Sequence, residues 1–206
     1  MGSLPSELDV TVVTTSHPAY AKMLSRTLNG VLSQSCRPVH HCISMDSRSS
    51  GDPCWQLNRL LAGIETEWVA QVAGDDWWLS NHLAVLALLA QENPEAVYCY
   101  TAAAVNGAIL PALNHPVTRD NVDELQDHNW IPASGMAKTE VMKEFGGWQS
   151  HPETGGHEDW ELYKKIAGKY GAEGFAYSDI PTWVYEHHGK NRSYLRYAEN
   201  VAKQEG

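Results

Sequence analysis

Three predicted strands separated by stretches with helical spacing constrain the fold of this chain more than any other feature. Residues 8–15 and 68–73 are unbroken runs of mostly apolar and β-branched residues, and residues 39–45 form a further strand between them. Continuous runs of this kind are typical of strands buried on both faces of a parallel sheet. Strands that alternate with helices in this way predict a doubly wound α/β fold.

The other predicted elements follow the same periodicities. Apolar residues spaced three to four apart indicate helices, and short β-branched or aromatic runs indicate strands. Glycines at positions 146, 147 and 171 predict the ends of two helices. The predicted helices cover residues 18–33, 55–64, 79–91, 139–145 and 158–170, and the further strands cover residues 96–105, 130–133, 173–177 and 182–187.

Polar residues stand where the first three strands end. The first ends in Thr14 and Thr15, the second runs into Asp46, and the third is followed by Asp75 and Asp76. Carboxyl ends of parallel strands meet at one edge of the sheet, where open α/β sheets bind ligands. Adjacent carboxylates repel each other, so a divalent cation held against phosphate is one explanation for the pair. The alternative is that both acids cap the helix that follows near residue 80.

The composition limits the classes of partner and the compartment. A formal net charge of -10 argues against a nucleic-acid partner, because a phosphate backbone requires a basic surface. The four cysteines have neither CxxC nor metal-finger spacing, which favours a reducing compartment. The sequence has no signal-peptide pattern at its start, and no apolar stretch approaches the roughly 18 residues of a membrane span. We therefore expect a soluble, cytoplasmic protein without integral membrane association.

The order of motifs resembles the family 2 glycosyltransferases, which are nucleotide-sugar enzymes of the GT-A fold. The resemblance covers about residues 8–193, and the six motifs occur in the family's order on matching elements. They are the strand VTVVTT, Asp46 with its Ser/Gly/Asp-rich loop, Asn58 ahead of Trp68, the acidic element Ala73-Gly74-Asp75-Asp76, Gly146-Gly147-Trp148 before Glu158-Asp159, and His188 followed by Gly189 and Asn191.

This resemblance implies both an architecture and an activity. The implied fold is α/β, a GT-A-type, Rossmann-like doubly wound sheet that is mostly parallel, with a small antiparallel part in the C-terminal half. A single domain over residues 1–206 would comprise a nucleotide-sugar-binding half (1–105), an acceptor-binding and catalytic half (106–193) and a tail (194–206). The implied reaction is inverting, metal-dependent transfer of a hexosyl-type sugar from a nucleoside-diphosphate sugar, with UDP-sugar favoured, to a hydroxyl of a glycan or protein acceptor.

The resemblance assigns a metal site and a catalytic group. Asp75 would bind Mn²⁺ or Mg²⁺ together with His188, and Asp76 would be either a further ligand or the helix cap considered above. Asp159 would be the general base for the acceptor hydroxyl. The alternatives are that His188 is an ordinary surface histidine and that the acids at the start of the helix only complement its dipole. Ala73 departs from the family pattern, since it replaces the first acid of the metal-binding element.

The remaining assigned residues would bind the donor and the acceptor. Asp46 would bind the nucleobase, although an ordinary turn residue in its loop is the alternative. Trp148 and Glu158 would bind the acceptor, Trp148 through the flat face of its ring, although a tryptophan is more commonly a core residue. The other predicted donor-binding residues are Thr14, Thr15, Arg48, Asn58, Gly74 and Asp75.

Two other functions remain open at this point. A sugar nucleotidyltransferase has a related sheet, but its Gly-rich basic loop is absent here, where residues 14–18 read TTSHP. A catalytically silent nucleotide-sugar or glycan-binding module is favoured by Ala73 and disfavoured by the intact Asp159 and His188. A homo-oligomer is equally compatible with the sequence.

Overall fold

The computed structural model describes residues 6–46, 53–106, 108–109, 114–150, 157–186 and 188. Within this part of the chain, eight strands form one mixed sheet. Among the described residues, short 3-10 helices lie at Pro18–Tyr20, Val122–Gln126 and Gly171–Gly174. The strands are β1 (Glu7–Ser16), β2 (Arg37–Met45), β3 (Trp68–Ala73), β4 (Trp77–Trp78), β5 (Tyr98–Val105), β6 (Ala108–Ile109), β7 (Gly135–Lys138) and β8 (Phe175–Tyr185).

In the described ranges, five α-helices connect these strands, and their ends follow from local sequence. Pro18 opens the turn before the first helix, because its fixed φ suits a first helical turn. Gly146, Gly147 and Gly171 have positive φ, which confirms the predicted helix stops after the fourth and fifth helices. The helices are α1 (Ala21–Leu32), α2 (Cys54–Leu61), α3 (His82–Glu92), α4 (Thr139–Glu144) and α5 (Glu158–Tyr170).

The strand order across the sheet is β2-β1-β3-β7-β5-β8-β4, with β6 paired to β5. Strand β1 is parallel to both β2 and β3, and β5 is parallel to β8. Strand β7 is antiparallel to its neighbours β3 and β5. The structure therefore confirms a mostly parallel α/β sheet with a smaller antiparallel part in the C-terminal half.

The core is divided between the two faces of this sheet. Val13 and Val69 pack on the face that carries α2 and α5, whereas Val12 and Ala70 pack on the face of α1 and α3. Successive strand side chains point to opposite faces, so each central strand contributes to both halves of the core. This double burial explains why β1 and β3 have continuous apolar sequences instead of alternating ones.

Several predicted elements are wrong in detail. The expected strand at residues 130–133 is absent; Trp130 and Ile131 are buried without being strand, and the strand begins at Gly135. The two strands expected near the end of the chain are the single strand β8, whose register against β5 shifts after Ser178. The short strands β4 and β6 were not predicted, because two-residue strands leave no periodic pattern.

The structure also excludes one of the two interpretations of the acid pair. Strand β4 directly follows Asp76, and α3 begins only at His82, with Asn81 in the preceding position. Neither Asp75 nor Asp76 therefore caps α3, and the cap interpretation is wrong. None of the helices in the described ranges is long and apolar enough to cross a membrane.

A chain of hydrogen bonds fixes the protonation of a fully buried histidine, His82. Its Nδ1 lies 2.7 Å from Thr182 Oγ1, which donates to Thr101 Oγ1 at 2.8 Å. Because the single hydroxyl hydrogen of Thr182 is used in that bond, His82 Nδ1 must carry the proton and donate it. Burial lowers the pKa of His82 from 6.5 to about 3, so the ring is neutral in the folded protein.

We expect His82 to make the protein acid-sensitive. The pKa of His82 is lower in the folded than in the unfolded protein. The stability that the neutral ring contributes is therefore fully present above pH 6.5 and is lost as the pH falls toward 3. The loss amounts to at most about 1.4 kcal/mol per pH unit. Urea unfolding between pH 4 and 7 should show a flatter pH dependence for His82→Gln than for the wild type. Identical pH slopes for the two proteins would contradict this prediction.

Candidate functional site

The carboxyl ends of β1, β2 and β3 lie side by side, as expected from their parallel arrangement. Thr15 pairs with Ala73 of β3, and Ser16 pairs with Met45 of β2. The backbone bonds continue beyond the strands, since Gly74 N donates to Thr15 O at 2.9 Å and Asp46 N donates to Ser16 O at 3.0 Å. The three polar strand ends therefore form one rim.

Gly74 allows the chain after β3 to approach β1 closely. A Cβ at this position would overlap Ser16 Oγ and Cβ, so no larger residue fits without displacing the end of β1. Ser16 Oγ is itself buried without a hydrogen-bond partner among the described residues. The glycine thus acts by setting the position of the following residue, Asp75, against the rim.

The structure brings Asp75 and His188 together. Asp75 Oδ2 lies 3.1 Å from His188 Nε2, and the two side chains are 17% and 16% exposed. The ring of Tyr20 lies 5.4 Å from that of His188. Burial, followed by the nearby charge of Asp75, raises the pKa of the Tyr20 hydroxyl. Sequence reasoning missed Tyr20, because a tyrosine at the start of a helix carries no distinguishing pattern.

Asp76 occupies a different environment from Asp75. Its Oδ1 accepts a hydrogen bond from Glu186 N at 3.0 Å, and its carbonyl accepts one from Thr27 Oγ1 at 2.5 Å. Burial, then the charges of Asp75 and Glu186, raises the pKa of its carboxyl well above the usual value. In the described ranges no three His, Cys, Asp or Glu side chains converge as a metal cluster. The environment of Asp76 favours a structural role, and its role as a metal ligand stays a prediction.

The predicted nucleobase pocket is only partly open. Asp46 is half-buried, and its Oδ2 accepts a hydrogen bond from Trp55 Nε1 at 3.2 Å. Thr14 is fully buried, with its hydroxyl 2.9 Å from His41 Nε2, and burial lowers the pKa of that histidine. Thr15 is 9% exposed. Asp46 therefore offers the more accessible polar atoms, while Thr14 faces the interior.

Asn58 binds the Gly-Gly-Trp segment, 90 residues away in the sequence. Its Nδ2 donates to Trp148 O at 2.8 Å, and its Oδ1 accepts from Trp148 N at 2.9 Å. Gly147 has φ +75, and a Cβ there would overlap Asn58 Oδ1. Both the nitrogen and the oxygen of the Asn58 side-chain amide are thus bonded to backbone atoms of Trp148. These bonds connect the Asn58 motif with the Gly-Gly-Trp motif.

Trp148 belongs to the core of the α2 and α5 face. It is only 5% exposed, so its ring has little free surface for stacking on a sugar. Its backbone is held by Asn58, and its side chain lines a small cavity together with Asp159. These contacts favour a structural role, and its role as an acceptor platform stays a prediction.

Asp159 lies in the first turn of α5 and is partly buried. Its Oδ1 accepts a hydrogen bond from Trp160 N at 2.8 Å. Burial, and then the charge of the half-buried Glu158, raises its pKa to about 6, although hydrogen bonds from backbone N–H groups and Asn129 partly oppose the shift. A carboxylate with a pKa near neutrality is suited to accept a proton in a reaction.

Both candidate centres border the same strand. Asp159 lines its cavity with Val69 and Gln71 of β3, and Asp75 follows two residues after that strand ends. The Asp159 cavity thus borders the middle of β3, and Asp75 stands just beyond the carboxyl end of the same strand. One predicted donor-binding residue, Arg48, lies outside the described residues, as do Gly189 and Asn191 of the motif that contains His188.

Solved structures of other proteins are similar to this chain in fold, although no match is found from its sequence. No family model matches the chain, and no curated protein matches it in sequence. The crystal structure of S. aureus TarS 1-349 in complex with UDP-GlcNAc matches with a TM-score of 0.67 and 15% identity, over 94% of this chain and 65% of that chain. The same protein in complex with UDP matches with a TM-score of 0.66 and 16% identity, over 87% and 61%.

A second protein with a similar structure comes from another organism. Mannosyl-3-phosphoglycerate synthase from Rubrobacter xylanophilus matches with a TM-score of 0.58 and 11% identity, over 96% of this chain and 72% of that chain. Both it and TarS have the GT-A fold, so the GT-A fold expected from the motifs is confirmed. This chain spans less than two thirds of the length of the TarS structures it matches.

Proposed function

We propose that the protein is an inverting glycosyltransferase that moves a sugar from a nucleoside-diphosphate sugar to a hydroxyl of a glycan or protein acceptor. The contact between Asp75 and His188 carries this proposal. The two residues are 113 positions apart and were predicted as metal ligands from separate motifs, yet they lie 3.1 Å from each other. They also stand at the carboxyl edge of a sheet with the GT-A fold.

The donor atoms of this pair fit Mn²⁺ or Mg²⁺. Ligand atoms of an octahedral ion with bonds of about 2.1 Å stand about 3 Å apart, which the separation of 3.1 Å between Asp75 Oδ2 and His188 Nε2 matches. Two protein ligands leave positions for phosphate oxygens and water, as is usual for these ions. When bound, the ion supplies Lewis-acid stabilisation of negative charge on the diphosphate.

Asp159 acts in this proposal as the general base. Because its pKa is about 6, most of the carboxylate is ionised at pH 7 and can accept a proton. The acceptor oxygen forms a bond to the anomeric carbon, the bond from this carbon to the diphosphate oxygen breaks, and the electron pair leaves with the diphosphate. The hydroxyl proton passes to Asp159. A single displacement of this kind inverts the anomeric configuration.

UDP-GlcNAc is the first donor to test, because TarS structures contain UDP and UDP-GlcNAc. The protein is incubated with a panel of nucleotide sugars and Mn²⁺, and release of nucleoside diphosphate is followed. Release that depends on Asp159 supports the transferase. Pyrophosphate-dependent synthesis of a nucleotide sugar identifies a nucleotidyltransferase instead, and tight donor binding without turnover on any acceptor identifies a binding module.

Asp75→Asn should weaken metal-dependent binding of UDP by about tenfold or more, since one charged ligand is worth at least about 1.4 kcal/mol. Calorimetric titration with UDP in the presence of Mn²⁺, and again in EDTA, measures the effect. The matched control is Asp120→Asn, which changes an exposed aspartate and should bind like the wild type. Equal affinities of the Asp75 variant and the wild type in Mn²⁺ would rule out this metal site.

The raised pKa of Asp159 predicts the pH dependence of activity. We expect kcat/KM to rise about tenfold per pH unit below pH 6 and to level off above it, because the base must be ionised. Initial rates of UDP release between pH 4.5 and 8 measure this profile, within the range where the folded fraction is constant. A profile that stays flat from pH 5 to pH 7 would exclude Asp159 as the titrating base.

A further inference from the structure

A small cavity lies directly beside Asp159, on the face of the sheet that carries α2 and α5. Its volume is about 10 Å³, close to the space needed by one water-sized oxygen. Polar side chains in the lining besides Asp159 are Gln71, Tyr98 and Tyr163, and Trp148 adds apolar surface. The cavity therefore has the size of one hydroxyl group or one water molecule, placed next to a carboxylate.

The two tyrosine hydroxyls of this lining are committed to other partners. Tyr163 Oη donates to Pro132 O at 3.1 Å and lies 2.9 Å from Tyr98 Oη. Tyr98 must donate in the second bond, because the one hydroxyl hydrogen of Tyr163 is already used. Burial raises the pKa of both phenols, so both stay neutral and keep these roles.

Gln71, in contrast, has unused hydrogen-bonding capacity. It lies on β3 opposite Val13, and its side chain is half-buried. Its backbone carbonyl accepts a hydrogen bond from Ser134 Oγ at 2.9 Å, but its side-chain amide makes no hydrogen bond within the described ranges. A half-buried amide with two N–H donors and a carbonyl acceptor favours a polar ligand, because leaving these groups unpaired costs free energy.

Gly135 of β7 helps to keep this cavity open. It lines the cavity, and a Cβ there would lie 2.5 Å from Tyr98 Oη. A larger residue at this position would displace Tyr98. The missing side chain at Gly135 thus preserves the position of Tyr98 in the lining of the cavity.

We propose that Gln71 and Asp159 together bind the acceptor hydroxyl that attacks the sugar, an inference that rests on the proposed transferase function. Gln71 Nε2 donates to the hydroxyl oxygen, while the Asp159 carboxylate accepts the hydroxyl hydrogen. One lone pair of the oxygen then remains for the bond to the anomeric carbon, and the proton passes to Asp159 as the diphosphate leaves with its electron pair. Without an acceptor, a water molecule takes this place and the donor is slowly hydrolysed.

A crystal structure of the full chain with UDP and Mn²⁺ tests the binding place without requiring turnover. We expect an ordered water within about 3.2 Å of both the Gln71 amide nitrogen and the Asp159 carboxylate. The same water should be missing in Gln71→Met, whose side chain has a similar length but no N–H donor. A wild-type cavity without this water, or one whose water is unchanged in the variant, would overturn the proposal.

Donor hydrolysis tests the role of the same amide in the reaction. With UDP-GlcNAc and Mn²⁺ but no acceptor, Gln71→Met should release UDP about tenfold more slowly than the wild type, with the dissociation constant of UDP within about twofold. Gln126→Met, which changes an exposed glutamine, is the control and should match the wild type in both measurements. Unchanged hydrolysis, or a parallel loss of UDP affinity, would overturn the proposal.

The two measurements also separate failure of this inference from failure of the proposed function. A wild-type protein that releases no nucleoside diphosphate from any donor refutes the transferase function and, with it, the acceptor role of Gln71. The other result is a wild-type protein that transfers sugar but whose cavity holds no water, and whose Gln71→Met variant hydrolyses the donor at the wild-type rate. That result refutes only the role of Gln71.

Discussion

Asp159→Asn should lower the rate of sugar transfer by about 10² to 10⁴-fold, the usual contribution of a positioned general base. Asparagine keeps the shape of the side chain but cannot accept a proton from the acceptor hydroxyl. Donor binding should change little, because the donor is held by other residues in this proposal. Steady-state rates with the active donor, together with UDP affinity, measure both effects. A variant with more than about a tenth of the wild-type rate would contradict a base at this position.

The same substitution should make the fold more stable at neutral pH. The pKa of Asp159 is raised from 3.8 to about 6 in the folded protein, so the stability that this group contributes is complete below pH 3.8 and is lost as the pH rises through 6. Allowing for partial solvent exposure, the ionised carboxylate costs about 1 to 2 kcal/mol at pH 7.

Asparagine carries no charge at any of these pH values and avoids that cost. Urea unfolding should therefore give a higher free energy of unfolding for Asp159→Asn than for the wild type at pH 7, and nearly equal values near pH 3.5. Asp120→Asn should show neither effect, because this aspartate is exposed. An Asp159→Asn protein that is less stable than the wild type at pH 7 would show that the carboxylate makes a net favourable contribution. Higher stability with lower activity would mark Asp159 as a functional residue.

Gly147→Ala should be strongly destabilising, by about 2 to 4 kcal/mol. An alanine at φ +75 costs about 1 to 2 kcal/mol of backbone strain. Its Cβ would also overlap Asn58 Oδ1, so the paired bonds between Asn58 and the backbone of Trp148 would break or lengthen. A buried group that loses its hydrogen bond costs about 1 to 3 kcal/mol. Urea unfolding at pH 7 measures the change directly.

The chain offers a matched glycine for comparison. Gly168 lies inside α5, and a Cβ there would meet nothing within 4 Å. Gly168→Ala should therefore stabilise the protein by about 0.5 to 1 kcal/mol, because alanine is the better helix former. If Gly147→Ala were as well tolerated as Gly168→Ala, the pairing of Asn58 with Trp148 would not matter for stability.

Local patterns predicted individual elements well wherever a long periodic stretch was present. Strand β3 at Trp68–Ala73 and helix α5 at Glu158–Tyr170 have the predicted bounds, and the helix ends at Gly171 as expected. Strand pairing was less predictable. Strand β7 is inserted antiparallel between β3 and β5, and it contacts partners far away in the sequence, about which local periodicity carries no information.

The candidate site shows the same division. Asp75 and Asp76 are adjacent and cannot be distinguished from the sequence. In the structure Asp75 contacts His188, whereas Asp76 is buried and accepts a hydrogen bond from Glu186 N. The motif containing Asn58 suggested a donor-binding residue, but the structure pairs both of its amide atoms with the backbone of Trp148. Gln71 was missed, because a glutamine within a strand reads as an ordinary residue until its neighbours are known.

The amino-acid pattern alone is enough to predict the class of sheet, the edge at which polar residues collect and the acids that stand there. These properties follow from periodicity and from the direction of successive strands, which neighbouring residues encode. Tertiary contacts determine which of those acids lies against His188, that Trp148 is buried, and that Gln71 shares a cavity with Asp159. Such choices depend on contacts between residues that are 90 or 113 positions apart, and on the burial that these contacts create.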